Sequence, residues 1–245
     1  MTDRIVALLP MKANSERVVG KNFRNFNGKP LFRWILDALL AMEQIDRVII
    51  NTDARPTLAA NGLVDGPRIT IRDRKPEICG DFVSMNLVLA DDVANVDAET
   101  YLMTHTTNPL LSIGSVRGAL AKYQHGVADG SCDSVFTVNQ FNTRFYRADA
   151  SAINHDPDNL IRTQDLEPWF EENSNLYVFS RASFSNTKAR IGKKPAMYVM
   201  GRTESMDIDD AESWQMAEAM SMYILSGNKG GTGSGVIPTV PGEIR

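Results

Sequence analysis

Short apolar runs alternate with amphipathic stretches along most of this chain. Strand-like runs cover Arg4–Leu9, Arg47–Asn51, Arg68–Ile71, Tyr101–Met103, Ser134–Val138, Leu176–Phe179 and Ala196–Met200. They are rich in Val, Ile, Tyr and Leu and are bounded by turn residues, as strands are. Helical patterns lie between them. The first has Pro30 near its start and places Leu31, Trp34, Ile35, Ala38 and Leu39 on one face. Others cover Ser84–Val93 and Ser112–Tyr123, and the last runs from about Asp210 to Leu225. This alternation predicts an α/β protein with a doubly wound, mainly parallel sheet.

The pattern loosens between residues 139 and 194, where polar and aromatic residues mix, as in Phe141-Asn142-Thr143-Arg144-Phe145-Tyr146. This stretch reads as an insertion that forms a lid or a subunit contact. Beyond Ser226 the chain turns to Gly, Ser, Asn and Thr, the composition of a flexible tail. The expectation is one domain over 1–226, with an insertion at about 139–194, and a tail at 227–245.

Bulk composition narrows the function. With 245 residues, 43% of them apolar and 23% charged, the chain has the make-up of a globular protein. A formal charge of −4 gives no general affinity for nucleic acid, so any anion-binding cations must be local. Cys79 and Cys132 fit neither a metal spacing nor a disulfide framework. No apolar run reaches bilayer length, and no leader pattern opens the sequence, so the expectation is a cytoplasmic protein without membrane contact.

Local cations do occur. Directly after the first strand, the loop from Met11 to Asn22 carries Lys12, Arg17 and Lys21, with Ser15 and Asn22 as hydrogen-bonding groups. Strand, cationic loop, then helix is a way for an α/β protein to hold a polyanion. The loop is neither a Walker A loop nor a dinucleotide fingerprint. By itself it reads equally as a solvated basic loop; its place after the first strand favours ligand binding.

Late in the chain stands Asp207-Ile208-Asp209. In extended backbone, residues two apart point the same way, and two converging carboxylates repel unless a cation lies between them. Mg²⁺ suits such a pair, because it takes one or two carboxylates and completes its shell with phosphate oxygens and water. The competing reading is an acidic helix start, which fits Asp210 and Glu212 better than the two residues before them. The cluster Arg72-Asp73-Arg74-Lys75 either embraces a phosphate or forms a charged turn, the commoner case. His105 follows an apolar strand and could touch substrate, though a lone His is more often structural. Lys188, Arg190, Lys193 and Lys194 read as a solvated basic loop, and the methionines at 206, 216, 220 and 222 as helix packing.

Taken together, these segments resemble the acylneuraminate cytidylyltransferases, over roughly residues 4 to 222. The resemblance rests on the loop Pro10 to Asn22, then Gly28-Lys29-Pro30-Leu31, then Val48 to Asp53. It continues through Arg74-Lys75-Pro76-Glu77 with Asp81 and Ser84, Arg162 to Leu166 with Glu172-Asn173, and Asp207-Ile208-Asp209. It implies a Rossmann-like nucleotidyltransferase fold and transfer of CMP from CTP to the hydroxyl of an acidic, sialic acid-like sugar, releasing pyrophosphate. Lys12, Ser15, Arg17 and Lys21 would steady the triphosphate, and Asn22, Arg74 and Ser84 would hold the nucleotide. Asp207 and Asp209 would hold Mg²⁺, and Lys21, Arg17 and Asp209 would carry the catalytic charge. His105, Gln164 and Asn173 would face the acceptor. A homodimer is also implied, with the inserted region reaching toward the partner's site. The family has Arg-Gly-Gly-Ser where this chain has Lys12-Ala13-Asn14-Ser15, and Gln where it has His105. Rival readings are the same chemistry on an octulosonate, phosphonate or hydroxy acid, a glycosyltransferase using the Asp pair as its metal motif, and a non-catalytic nucleotide sensor.

Overall fold

In the computed structural model, which describes residues 5–13, 15 and 17–226, a seven-stranded sheet has the order β5-β4-β1-β6-β8-β7-β9. The strands are β1 (Ile5–Leu8), β4 (Arg47–Thr52), β5 (Ile69–Asp73), β6 (Thr100–Thr104), β7 (Ser134–Phe141), β8 (Trp169–Ser180) and β9 (Pro195–Val199). A small hairpin, β2 (Asn25–Phe26) and β3 (Lys29–Pro30), stands apart. Each predicted strand run lies in the large sheet; Arg4 and the expected tail fall outside the described residues. All neighbours pair in parallel except those of β8, which runs against both β6 and β7.

Side-chain alternation assigns each residue of the central strands to one layer. Ile5, Ala7, Val48, Ile50, Leu102 and Val178 face one side and pack with α1 (Leu31–Leu40), α2 (Arg55–Ala60) and α4 (Ile113–Asp129). Val6, Leu8, Ile49, Tyr101, Met103, Tyr177 and Phe179 face the other and pack with α3 (Met85–Asn95) and α5 (Arg181–Thr187). The sheet is therefore sandwiched between helices, a Rossmann-like three-layer arrangement.

Helix starts follow local chemistry. Ser84 accepts from the Asn86 amide at the start of α3, and Ser112 accepts from Ser115 at the start of α4. Ahead of α1, Asn27 and Gly28 both have positive φ and turn the chain between β2 and β3, as a two-residue hairpin requires. The Gly28-Lys29-Pro30 segment thus forms the hairpin, and α1 begins at Leu31.

A third, smaller core decides where the end of the chain goes. Val18, Phe26, Leu31, Ile208, Trp214 and Ala217 pack together. This fixes α6 (Ala211–Leu225) against the hairpin and against the loop after β1. The methionine expectation fails for two residues: Met216 and Met222 on α6 are exposed, because the buried side of the helix is Trp214, Ala217 and Ser221.

Between β7 and β8, residues 142–168 form an irregular arm. Phe145 packs edge-on to Phe141 and stacks on Trp169.

Candidate functional site

The strand order reverses direction between β1 and β6, and a cleft opens at the carboxyl ends of the strands there. This is the place where open α/β sheets bind ligands. The cleft has a volume of about 300 Å³. Loops after β1, β5 and β6 meet the segment before α6 around it. It is lined by Lys12, Ser15, Arg17, Lys21 and Asn22, and also by Arg74, His105 and Asp209. Eight of the sequence-selected residues thus share one cavity. Its four Lys and Arg side chains outnumber the two carboxylates, Asp81 and Asp209, so the lining favours an anion.

The loop after β1 is held by backbone and side-chain bonds. Leu9 and Met11 extend the pairing with β4, through Ile49 O at 2.8 Å and Asn51 O at 3.0 Å. The Ala13 amide donates to Asp53 Oδ1 at 2.7 Å. Gly20 adopts a left-handed conformation, φ +63°, and turns the chain into the short 3₁₀ turn of Lys21–Phe23. Asn22 is buried and clamps two loops: its Nδ2 donates to Lys12 O at 2.9 Å, and Thr106 Oγ1 donates to its Oδ1 at 2.6 Å. Lys12 pairs with Asp81 across the cleft mouth.

The Asp207-Ile208-Asp209 segment locks onto this loop. Ile208 is fully buried in the third core, so the flanking carboxylates turn away from that core. The Ile208 amide donates to Thr107 O at 2.9 Å, and Lys21 Nζ donates to Ile208 O at 2.5 Å. Arg17 Nη2 reaches Asp209 Oδ1 at 3.0 Å and Lys21 Nζ reaches it at 3.9 Å. Burial lowers the Lys21 pKa against the opposing pull of Asp207 and Asp209. Burial raises the Asp207 pKa, and the like charge of Asp209 adds to the rise, against a hydrogen bond from Thr107. The helix cap is a different residue: Asp210 accepts from Ser213 N at 2.8 Å while Ser213 Oγ accepts from the Asp209 and Asp210 amides.

This all-oxygen pair, in which burial and then the charge of Asp209 push Asp207 toward protonation, has the chemistry of a Mg²⁺ site. Among the described residues there is no cluster of three or more potential ligands. A cation here would have to complete its shell with water and ligand oxygens.

The basic run after β5 divides by role. Arg72 is bound by Asp91 at 2.7 Å and Asp92 at 2.6 Å, and Lys75 by Asp91 at 2.6 Å. Arg74 alone turns to the cleft, fixed by Asn51. Neither pairing was legible without the position of α3. Asn51 itself was overlooked, although a polar residue closing an apolar strand, Val48-Ile49-Ile50-Asn51, is a visible signal. Thr106 and Thr107 were missed too; their signal is their place directly after β6.

His105 lies at the cleft with a pKa lowered to about 3, by burial and then by the charges of Arg190 and Lys21. It is neutral at physiological pH. Ser84 is the α3 cap next to the lining residue Met85. Gln164 and Asn173 do not line the cleft. Gln164 sits in an exposed 3₁₀ turn, Thr163–Asp165. Asn173 is buried between strands, accepting from Thr137 Oγ1 at 2.6 Å and donating to Asn139 at 3.1 Å. Arg190 is not the solvated cation that its basic surroundings suggest: its guanidinium lies over the Tyr177 ring, 3.9 Å from the centroid.

Comparison with known proteins bears on this cleft. The family model described as Cytidylyltransferase matches residues 6–221. The chain is 28% identical over 223 residues to an N-acylneuraminate cytidylyltransferase of Oncorhynchus mykiss, covering 87% of this chain and 49% of that protein. It is 22% identical to an Escherichia coli O18:K1:H7 protein of the same name, covering 89% of this chain and 52% of that protein. It thus spans about half the length of these relatives. A CMP-N,N'-diacetyllegionaminic acid synthase of Legionella pneumophila is 23% identical, covering 89% of this chain and 96% of the other. Among solved structures, a CMP:2-keto-3-deoxy-manno-octonic acid synthetase complexed with CTP superposes with a TM-score of 0.61 at 14% identity. That match covers 90% of this chain and 99% of the other. A 4-diphosphocytidyl-2C-methyl-D-erythritol synthase from Anaerococcus prevotii has a TM-score of 0.60 at 12% identity, covering 90% and 97%. The fold is that of nucleotidyltransferases, and the chain belongs to the cytidylyltransferase family, among the acylneuraminate cytidylyltransferases and their relatives.

Proposed function

We propose that the chain transfers CMP from CTP to a hydroxyl of an acidic, nonulosonate-type sugar and releases pyrophosphate. The observation that carries this reading is the meeting of a four-cation cleft with Asp209, of the Asp207-Ile208-Asp209 segment, at the switch point of the sheet. The names of the relatives support the nucleotide and the acceptor class.

The acceptor hydroxyl attacks the α-phosphorus of CTP; a new O–P bond forms, the bond to pyrophosphate breaks, and the hydroxyl proton passes to solvent. Lys12, Arg17 and Lys21, with Ser15, bind the triphosphate and neutralise charge on the departing pyrophosphate. Arg74 and Asn22, with the Ser84 turn, position the nucleoside. Mg²⁺, when held by Asp207 and Asp209, supplies charge neutralisation at the phosphate oxygens. Neutral His105 orients the acceptor by hydrogen bonds. Most of the rate then comes from orientation and electrostatics, with no covalent intermediate on the protein.

The site works in a homodimer on this reading. The aromatic surface of the arm, Phe141, Phe145, Ile153, Trp169 and Phe170, supports a second copy as its cover. Among the described residues no helix is long and apolar enough to cross a membrane, in keeping with the cytoplasmic location we propose.

The test is pyrophosphate release with each of the four nucleoside triphosphates, with and without Mg²⁺. N-acetylneuraminate, N,N'-diacetyllegionaminate and 3-deoxy-manno-octulosonate serve as acceptors. CTP with Mg²⁺ and at least one acid should turn over. Equal turnover with UTP or ATP, or none with any acid, overturns the assignment.

A further inference from the structure

Asp92 is a carboxylate in an apolar layer. It sits on α3 with Leu89 and Val93, which belong to the core on that side of the sheet. The residue is fully buried, and its Oδ2 has no hydrogen-bond partner among the described residues. Burial raises its pKa to about 6, so it is ionised at neutral pH. A half-satisfied buried charge destabilises a fold relative to a leucine of similar volume, so packing alone does not account for it.

The other oxygen is fully engaged. Asp92 Oδ1 accepts from Arg72 Nη1 at 2.6 Å and from Asn51 Nδ2 at 2.8 Å. The three residues meet because Asn51 and Arg72 are register partners in the β4–β5 pair, and Asn51 follows Ile49 onto the α3 side of the sheet. With its NH₂ given to Asp92, Asn51 turns its Oδ1 the other way, where Arg74 Nε donates to it at 3.0 Å. The reversed amide would set oxygen against carboxylate and NH₂ against guanidinium, two repulsive contacts. The amide therefore has one orientation, and Asp92 selects it.

Of these four residues only Arg74 lines the cleft. Asn51 holds the Nε–Nη2 edge of its guanidinium, through Oδ1 and through the main-chain carbonyl at 2.8 Å. Nη1 has no protein acceptor among the described residues, which leaves it for a ligand.

We infer that Asp92 is a positioning residue for nucleotide binding, which acts through the Asn51 amide to hold the Arg74 guanidinium at the cleft without lining the cleft itself. Arg72 has a part in this: its bond to Asp92 Oδ1 keeps that oxygen an acceptor. The inference rests on the proposed binding of CTP in this cleft.

The test uses the full chain with Mg²⁺ and the variants Asp92→Leu, Asp92→Asn, Asn51→Ala and the double variant Asn51→Ala/Asp92→Leu. Titration calorimetry with CTP gives binding without turnover, and pyrophosphate release with the sugar acids named above gives the kinetic constants. Asp92→Leu removes the acceptor at similar volume; it should weaken CTP binding about fivefold and raise the KM for CTP alike, with the acceptor KM within about twofold. Asp92→Asn keeps an oxygen for Arg72 and Asn51, and should bind CTP within about twofold of the wild type. Because Asp92 acts through Asn51, the double variant should bind CTP no more weakly than Asn51→Ala alone, whereas independent structural effects would add. Wild-type CTP binding in a folded Asp92→Leu, or additive losses in the double variant, overturns the inference. If Asp92→Leu does not fold, Asp92→Asn decides: wild-type binding supports the relay, and a loss of about fivefold or more overturns it. Wild-type CTP binding and turnover that are indifferent to Asp92 remove the inference and leave the cytidylyl reading standing. A wild type that binds no CTP removes both.

Discussion

Arg74 Nε donates to Asn51 Oδ1 at 3.0 Å, and Arg74 Nη2 donates to the Asn51 carbonyl at 2.8 Å. The same asparagine amide donates to Asp92 at 2.8 Å, and Asp92 is paired with Arg72. Asn51 thus reads the charge of a buried carboxylate and presents the opposite polarity to Arg74. A strand-end residue that never meets the ligand sets the direction of one that lines the cleft. Asn51→Ala removes the side-chain bond and leaves the one to the main-chain carbonyl, so it should loosen Arg74 and raise the KM for CTP by up to about tenfold, near 1.4 kcal/mol. An unchanged KM in a folded variant would mean that Arg74 is held by other contacts or does not meet the nucleotide.

Asp209 and Asp210 are adjacent and do different things. Asp209→Asn should lower turnover by about a hundredfold or more, the usual loss on removing such electrostatic stabilisation. Its effect on melting should be small, because its close partner, Arg17, is a surface cation. Asp210→Ala should do the reverse, costing about 1 kcal/mol of stability through the lost cap and leaving kcat near the wild-type value. Equal behaviour of the two variants in paired melting and rate measurements would refute the division.

His105 should not act as a base. Its pKa of about 3 leaves it neutral throughout the working range. His105→Gln should therefore keep turnover within about tenfold, shift the preference among acceptors, and leave the pH–rate profile without a lost inflection near 6.5. Loss of several orders of magnitude for every acceptor would instead make the imidazole a catalytic group.

The same residue has a signature in stability. The folded pKa lies below the unfolded value of about 6.5, so from pH 6.5 down to about 3 the unfolded chain binds the proton more readily. This histidine then costs stability as pH falls through that window, and costs nothing above it. His105→Gln should gain in melting temperature relative to wild type between pH 7.5 and pH 5. Asp92, raised by burial to about 6, contributes in the opposite direction over about pH 6 to 4, but equally in both proteins. A constant difference across pH would show that the imidazole is not desolvated.

The arm offers a test of assembly. Trp169→Glu places a charge on the exposed aromatic surface, away from the cleft residues. Sedimentation should show a dimer for the wild type and a monomer for the variant. A wild-type monomer, or a dimer indifferent to the charge, would remove the proposed interface.

Much of the fold is written in local periodicity. Apolar runs such as Val48-Ile49-Ile50 form strands buried on both faces, and the serines at 84 and 112 mark helix starts by capping. The cationic loop after β1 and the Asp pair before α6 were recognisable too, since each stands at an element boundary that local sequence signals. Pairings between distant segments were not. That Ile208 packs on Val18, and so brings Asp209 to Arg17, depends on a satellite core built from three separated stretches. Which of Arg72, Arg74 and Lys75 faces the cleft is settled by the carboxylates of α3. Arg190 looked like one more solvated cation until the antiparallel β8 carried Tyr177 beneath it. Side-chain periodicity is a property of neighbours along the chain, whereas charge pairing, stacking and desolvation belong to neighbours in space, which only the folded topology selects.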